Sequence, residues 1–365
     1  MIENLKHRYP IAINIDYKEI CAVQLRATQK SLAIKGILCR ELKDEIDGAL
    51  GPKEGLLGIL KEISASSQFT GKQITAHLPF GSIFSFPVLV NLTKGETIES
   101  SILKESKEYL PFSVSEGVFD YPSVKETGNG NQYKVIVTAA RRDDILRYID
   151  LAKQAGLVLE RVDFPVSSFI RLHRFLHGPP ENPVILCHMG GFKSLIVVAG
   201  NDCILAERAV PWGMESVYKR IQLNLELESD RNTPRILLRN FGLSFESENR
   251  NSESYKEADD NGIRRTLYQI IAPSIDRLID EIHKIIGYIR SEEAQILLAG
   301  MYLYGDGVCI RYLDRYFQNR FNIPAKLSDP VAEGVFSFEG IPAGDSDECS
   351  YTLALGLAMR KVSWL

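Results

Sequence analysis

The sequence predicts an α/β fold written twice, with a small α+β unit inserted into the first copy. Three observations predict it. After Pro10 the chain runs IAINID, a polar turn YKE, ICAVQLRA and then SLAIKGILCRELKDE, three β-rich runs of alternating polarity that suit consecutive antiparallel strands. After Pro183 the same order returns as VILCHMG, SLIVVAG and CILAERAV, joined by GFK and by Asn201-Asp202. An offset of 174 residues sets Ile13-Asn14-Ile15-Asp16 on Cys187-His188-Met189-Gly190; a period near half the chain means a duplicated domain, not a solenoid.

The elements follow in order. Leu56, Leu57, Ile59, Leu60 and Ile63 have helical spacing and predict a helix over 53–66. From 72 to 137 the pattern changes: strands QITAHLPF and SIFSFPVLV, a helix over 97–110 stopped by Pro111, strand GVFDYPSV, a loop GNGNQ and strand YKVIVTAA. A helix over 142–155 closes on Gly156, the usual left-handed cap residue. Strand LVLERVDF and a helix over 166–177 then lead through Gly178-Pro179-Pro180 into the second copy. There the polar run 246–260 predicts a mobile loop, and 263–290 a long helix that Pro273 should kink or reset. Strand AQILLAG, a helix near 310–320, strand NIPAKL and a last helix YTLALGLAMRKV complete the chain. These boundaries give a first lobe of 1–71 and 138–182, an insert of 72–137, a second lobe of 183–225 and 291–365, and a helical subdomain of 226–290 with a mobile loop over 244–262.

Composition bounds the function. The 365 residues suffice for two or three domains of about 150 residues each, and 45% hydrophobic with 25% charged residues excludes a disordered or collagenous chain. A net charge of −4 argues against the basic face of a nucleic-acid binder. Cys21, Cys39, Cys187, Cys203, Cys309 and Cys349 are dispersed without a CxxC pair and read as buried thiols of a reducing compartment. No apolar run approaches the 18–20 or so residues of a membrane span, and MIENLKHRYP lacks the apolar core of a signal peptide, so the chain reads as cytosolic.

Several stretches together resemble one family: ICAVQL (20–25), HLPFGSIFSFPVLV (77–90), KEYLPF (107–112) followed by Asp120-Tyr121, VTAARRDDILRYIDLAKQAGL (137–157) and the terminal ALGLAMR (354–360). They resemble the PilM family, actin-like proteins of type IV pilus assembly, and more distantly the cell-division protein FtsA and the cytoplasmic part of the secretion protein GspL. The stretch from Leu78 to Tyr121 is the most specific match. The resemblance implies a duplicated actin-like two-lobe fold, with the small α+β insert in its first lobe.

It also implies a nucleotide site, in which Asp-x-Gly hairpins hold magnesium and approach phosphate through backbone N–H groups. Here the first hairpin reads Asn14, Asp16 and Tyr17-Lys18-Glu19, with Cys21 where a Lys would stand, so an anion occupies a phosphate-facing place. Two like charges about 4 Å apart repel by roughly 1 kcal/mol in water and several times more when partly buried. The plainer reading of Asp16 is a solvated turn acid. The second hairpin keeps Gly190 and Gly191 with Lys193 and Ser194, but His188 replaces the Asp; a tight strand turn explains the glycines equally well. The third motif, a Gly-Gly pair opening a helix under the adenosine, reads Ala299-Gly300-Met301. ATP with magnesium is thus the one cofactor to consider, at eroded motifs, and no catalytic residue or metal set is assigned.

The resemblance implies a second function that needs no nucleotide: capture of the N-terminal cytoplasmic peptide of a single-pass inner-membrane partner, PilN-like, in an apolar groove between the first lobe and the insert. The chain would then be a cytoplasmic scaffold held at the inner membrane through that partner, in a pilus or related type II secretion apparatus, with self-association left open. Groove candidates are Leu78, Phe80, Phe84, Phe86, Tyr109, Leu110 and Phe112, against the reading that they form the insert's own core. The rival is a working ATPase or small-molecule kinase of the same fold, using Lys18, His188, Gly190 and Lys193 around the phosphates. His173 and His177 have metal-ligand spacing but lack HExxH chemistry. Cys187 beside His188 reads as core, because adjacent strand residues face opposite ways.

Overall fold

A computed structural model describes residues 9–16, 18–27, 31–42, 53–93, 95–127, 131–228, 230–243, 255–338 and 351–361. In chain order the elements are β1 (Ile11–Ile15), β2 (Glu19–Ala27), β3 (Leu32–Glu41), α1 (Lys53–Ala65), β4 (Gln73–His77), β5 (Ile83–Asn91), α2 (Ile98–Glu105), β6 (Gly117–Thr127), β7 (Gln132–Arg141), α3 (Arg142–Gln154), β8 (Val158–Asp163) and α4 (Pro165–His177). Then come β9 (Val184–Met189), β10 (Ser194–Ala199), β11 (Ile204–Val210), α5 (Met214–Asn224), α6 (Asn232–Asn240), α7 (Tyr255–Glu292), β12 (Gly300–Gly305), α8 (Leu313–Phe321), β13 (Ala325–Leu327), β14 (Phe336–Phe338) and α9 (Thr352–Ala358). Two compact units result: Met1–Glu181, Ala199–Glu207 and Pro330–Leu365 in one, Asn182–Val198 and Arg208–Asp329 in the other.

The duplication is visible in strand order. One sheet runs β14-β3-β2-β1-β4-β8 and another β11-β10-β9-β12-β13, so each has a meander followed by two further strands on the side of its first strand. In the first, β1 and β2 pair antiparallel with Asn14 opposite Cys21, and β4 and β8 add in parallel. One face buries Ile11, Ile13, Ile15 and Ile20 against α1 and α3 residues such as Leu56, Leu60, Tyr148 and Leu151; the other buries Ala12, Val23, Leu25 and Ile34 with Leu355, Leu357 and Met359. In the second, β12 runs parallel to β9 with Met301 opposite Ile185 and Gly305 opposite Met189.

The structure redraws several boundaries. QITAHLPF, placed with the insert, belongs to the first unit's main sheet: β4 lies between β1 and β8, and the insert's own sheet is β5-β7-β6. Residues 330–365, placed with the second lobe, group with the first unit: β14 pairs with β3, and α9 packs on it with every residue buried. Gly356 permits this, since a Cβ there would stand 2.1 Å from the Ser168 carbonyl oxygen. The strand expected at AQILLAG lies later, at Gly300–Gly305, and Leu297 is left 76% exposed. The segment 255–262, read as loop, begins α7, which continues through Pro273 without ending. The rest of that expected loop (244–254), Tyr17, Gly128–Gly130 and Cys349 lie outside the described residues. Gly156 takes φ +73°, the left-handed cap its position called for.

Cys21 and Cys39 correct the reading of six thiols. They are directly opposite in the β2–β3 register, 4.1 Å apart at Cα, and joined by a disulfide. Cys187 is a buried thiol, its ionisation pushed up to about 12 by burial.

Candidate functional site

Each hairpin is built within its own unit. In the first, Asn14 is buried at the end of β1. His77, the last residue of the neighbouring parallel strand β4, is fully buried, and its ionisation is lowered to about 3 by burial, which outweighs the opposing pull of Asp163. The ring is therefore neutral. Asn14 Oδ1 can only accept, so Nδ1 donates to it across 2.8 Å, and Nε2 accepts from Ser168 Oγ of α4 across 2.7 Å. A serine, an imidazole and an acceptor in line have the look of a nucleophile relay, but Ser168 is completely buried on a helix face, so no substrate carbonyl can reach its Oγ. Beside them Asp163 is buried and holds Arg171 at 3.0 Å and Arg360 at 2.7 Å, while Arg171 also donates to the Gly356 carbonyl. The position expected to carry a metal-binding carboxylate is thus a neutral amide already engaged on its own side of the protein.

Asp16 follows in the turn, where its N–H donates to the Glu19 carbonyl. It is only 7% exposed, which corrects the solvated reading. Lys18 gives its carbonyl to the Leu42 N–H.

In the second unit, Gly190 N–H donates to the Lys193 carbonyl and closes a tight turn. The Gly190 and Gly191 carbonyls then accept from the Met214 and Glu215 N–H groups at the start of α5. Those first-turn donors are what a helix offers an anion, and here the turn itself takes them. Gly213 makes the contact possible: a Cβ there would meet the Gly191 oxygen at 2.2 Å. Trp212 anchors the same corner, donating from Nε1 to the Ser274 carbonyl at 2.7 Å. His188 is buried and held neutral, its ionisation lowered to about 4.

Gly300 opens a strand rather than a helix. The strand-to-helix glycines are Gly305 and Gly307, at the end of β12, leading into a 3-10 turn over Asp306–Cys309. Gly305 has φ +82°, and Cβ atoms at Gly305 and Gly307 would collide with Met189 at 2.5 Å. Between them Asp306 is buried, and nearby Tyr218 has its ionisation pushed up by burial first and then by Cys309 and Asp306, with Arg235 opposing. The residues fit a magnesium–nucleotide poorly at the two hairpins: no carboxylate stands at Asn14 or His188, where one would hold the metal, and the Asp16 side chain follows where a glycine would let backbone N–H groups approach phosphate.

The insert offers a different surface. Thr97 caps α2 through a reciprocal box with Ser100. The helix ends at Glu105, short of the expected 110, where Ser106 Oγ donates back to the Ile102 carbonyl and a 3-10 turn over Ser106–Glu108 leads to Pro111. This delivers Tyr109 onto Phe86, ring centroids 4.8 Å apart and nearly parallel, while Phe84 meets Phe112 edge-on at 5.4 Å. Arg141 covers Phe112 at 5.1 Å and donates to the Pro111 carbonyl. Leu110 packs partly buried on the same cluster, and Tyr109 remains 52% exposed. Five of the seven groove candidates are therefore together. Leu78 is not among them, being fully buried in the main core of the first unit, and Phe80 sits half-buried in the 3-10 turn between β4 and β5. Phe86 and Phe112 are largely core, so the exposed shelf is Tyr109, Leu110 and Phe84. Among the described residues no helix is long and apolar enough to cross a membrane.

No curated protein matches the sequence. Among solved structures, a PilM–PilN type IV pilus biogenesis complex superposes with a TM-score of 0.73 at 18% identity, over 96% of this chain and 98% of that one. The ethanolamine utilization protein EutJ from Carboxydothermus hydrogenoformans follows at 0.54 and 12% identity, over 98% and 92%. The fold is the duplicated two-lobe actin-like fold that the paired sheets describe. The profile of the family described as type IV pilus assembly protein PilM matches residues 12–362, and the chain belongs to that family.

Proposed function

We propose that the protein is a cytoplasmic scaffold of a type IV pilus assembly apparatus that docks the N-terminal tail of a single-pass inner-membrane partner on the insert and works without nucleotide. The exposed shelf at Tyr109 carries this reading. An aromatic ring half in water, stacked on Phe86 and flanked by Leu110, is a surface on which aliphatic side chains of an extended peptide lose water favourably. Family membership supports the setting, since the solved relative is a complex with PilN. The partner would be PilN-like, and it would supply the attachment to the membrane. Loss of nucleotide is supported by the neutral Asn14–His77 pair, the buried Asp16 and Asp306, and the Gly190–Gly191 carbonyls turned to α5.

Fluorescence anisotropy of a labelled synthetic tail peptide tests the docking site. Tyr109→Ala should weaken binding about tenfold and Leu110→Asp more, with circular dichroism unchanged. Wild-type affinity in both folded variants would put the peptide elsewhere.

A further inference from the structure

The Cys21–Cys39 pair lies outside the docking shelf, and its surroundings differ at the two ends. Both residues sit in a regular part of the β2–β3 ladder, directly opposite, while the one register shift of that pair of strands falls at Gln24/Leu25. Directly opposed antiparallel residues share a face, which sets the two sulfurs side by side. Cys21 is buried at 2% exposure under α9, whereas Cys39 is half-buried at the rim of the same cluster. Cys21 is also the cross-strand neighbour of Asn14, so the pair borders the Asn14–His77–Ser168 chain of hydrogen bonds.

We propose that Cys21 and Cys39 form a reversible thiol–disulfide couple that exchanges with a small-molecule disulfide of the glutathione class, entering at Cys39. In the oxidising direction the Cys39 thiolate attacks one sulfur of glutathione disulfide; that S–S bond breaks and one glutathione thiolate leaves. The Cys21 thiolate then attacks Cys39 Sγ, the protein disulfide forms and the second glutathione leaves. The two protein thiols are oxidised, one glutathione disulfide is reduced to two glutathiones, and the two thiol protons end on those products. Reduction runs the same steps backwards. The burial asymmetry sets the order, because an incoming molecule reaches Cys39 before Cys21.

The test uses the full-length protein equilibrated with mixtures of reduced and oxidised glutathione, quenched in acid, alkylated, and read by mass spectrometry of the Cys21 and Cys39 peptides. The expected result is one joint transition in which both peptides pass together from alkylated to linked, while the Cys187 peptide stays alkylated throughout. In separate folded variants, Cys21→Ser should accumulate a glutathione adduct on Cys39, and Cys39→Ser should leave Cys21 at least tenfold less modified. A pair that stays dithiol at every ratio, or stays linked in excess reduced glutathione, overturns the couple. Adducts forming on Cys21 rather than Cys39 overturn the entry point.

Discussion

The two hairpins share one strand order and differ in how each is held. Both grow from a meander of the same strand order, and both carry a non-carboxylate at the expected metal position, Asn14 in one and His188 in the other. In the first, the replacement is held by side chains: Asn14 to His77 to Ser168, three buried groups on three elements. In the second, the closure is made by backbone, with the Gly190 and Gly191 carbonyls seated on the first N–H groups of α5 and Gly213 removing the Cβ that would keep them apart. Side-chain closure depends on protonation and is sensitive to pH. Backbone closure depends on space and is sensitive to volume, although the buried His188 beside it gives the second hairpin an acid sensitivity of its own.

That difference can be broken from the steric side first. Gly213→Val should be the most damaging change, costing about 3 kcal/mol or more, because the new atoms meet the Gly191–Phe192 backbone rather than a movable side chain; urea unfolding measures it. In the first hairpin, Asn14→Ala leaves the His77 Nδ1–H buried without its acceptor and should cost about 2 kcal/mol by the same assay.

The pH dependence sharpens the comparison further. The unfolded chain protonates its histidines near 6.5, whereas folded His77 resists until about 3 and His188 until about 4. Between those values the unfolded state binds more protons, so the histidine contribution to stability is full above pH 6.5 and falls as the pH is lowered. Glu207 works in the other direction: burial raises its carboxyl to about 7, so its contribution weakens stability as pH rises from about 4.5 to 7. His77→Gln should remove up to about 1.4 kcal/mol per pH unit of the acid-side slope, read from urea unfolding at pH 6.5 and 5. A slope unchanged in that variant would detach the first hairpin from the titration. The smallest effect is expected at Leu297, where Leu297→Lys should change stability by less than about 0.5 kcal/mol because the side chain is already in water.

Much of the fold was legible because periodicity and repetition are local signals. The two meanders, α1, α3 with its Gly156 cap, and α4 follow directly from alternation, helical spacing and cap chemistry. Reading failed where tertiary partners decide. Nothing in QITAH says that it pairs with β1 rather than with β5, and nothing in YTLALGLAM says which sheet it covers. ILLAG has the composition of a strand, yet Leu297 is left in water and only Gly300 of it enters β12, which pairs with β9. At the site, Asn14, His188 and Gly190 were visible through their spacing, and the aromatic shelf through KEYLPF. His77 and Ser168 were not, since residues 63 and 91 positions away from their partners carry no local sign of the contact. The Cys21–Cys39 pairing was likewise hidden, because it is fixed by strand register and not by any cysteine motif.

If both hairpins serve as packing rather than as a nucleotide clamp, Mg-ATP leaves the folded state no more stable than before. Thermal melting of the full-length protein with and without millimolar Mg-ATP tests it most directly, because any ligand of the folded state raises Tm by mass action, by about 2.7 kcal/mol of added stability at a hundredfold excess over Kd. The expected result is an unchanged Tm at every Mg-ATP concentration. A rise of several degrees that saturates with Mg-ATP and is absent with magnesium alone would show that the hairpins still clamp nucleotide.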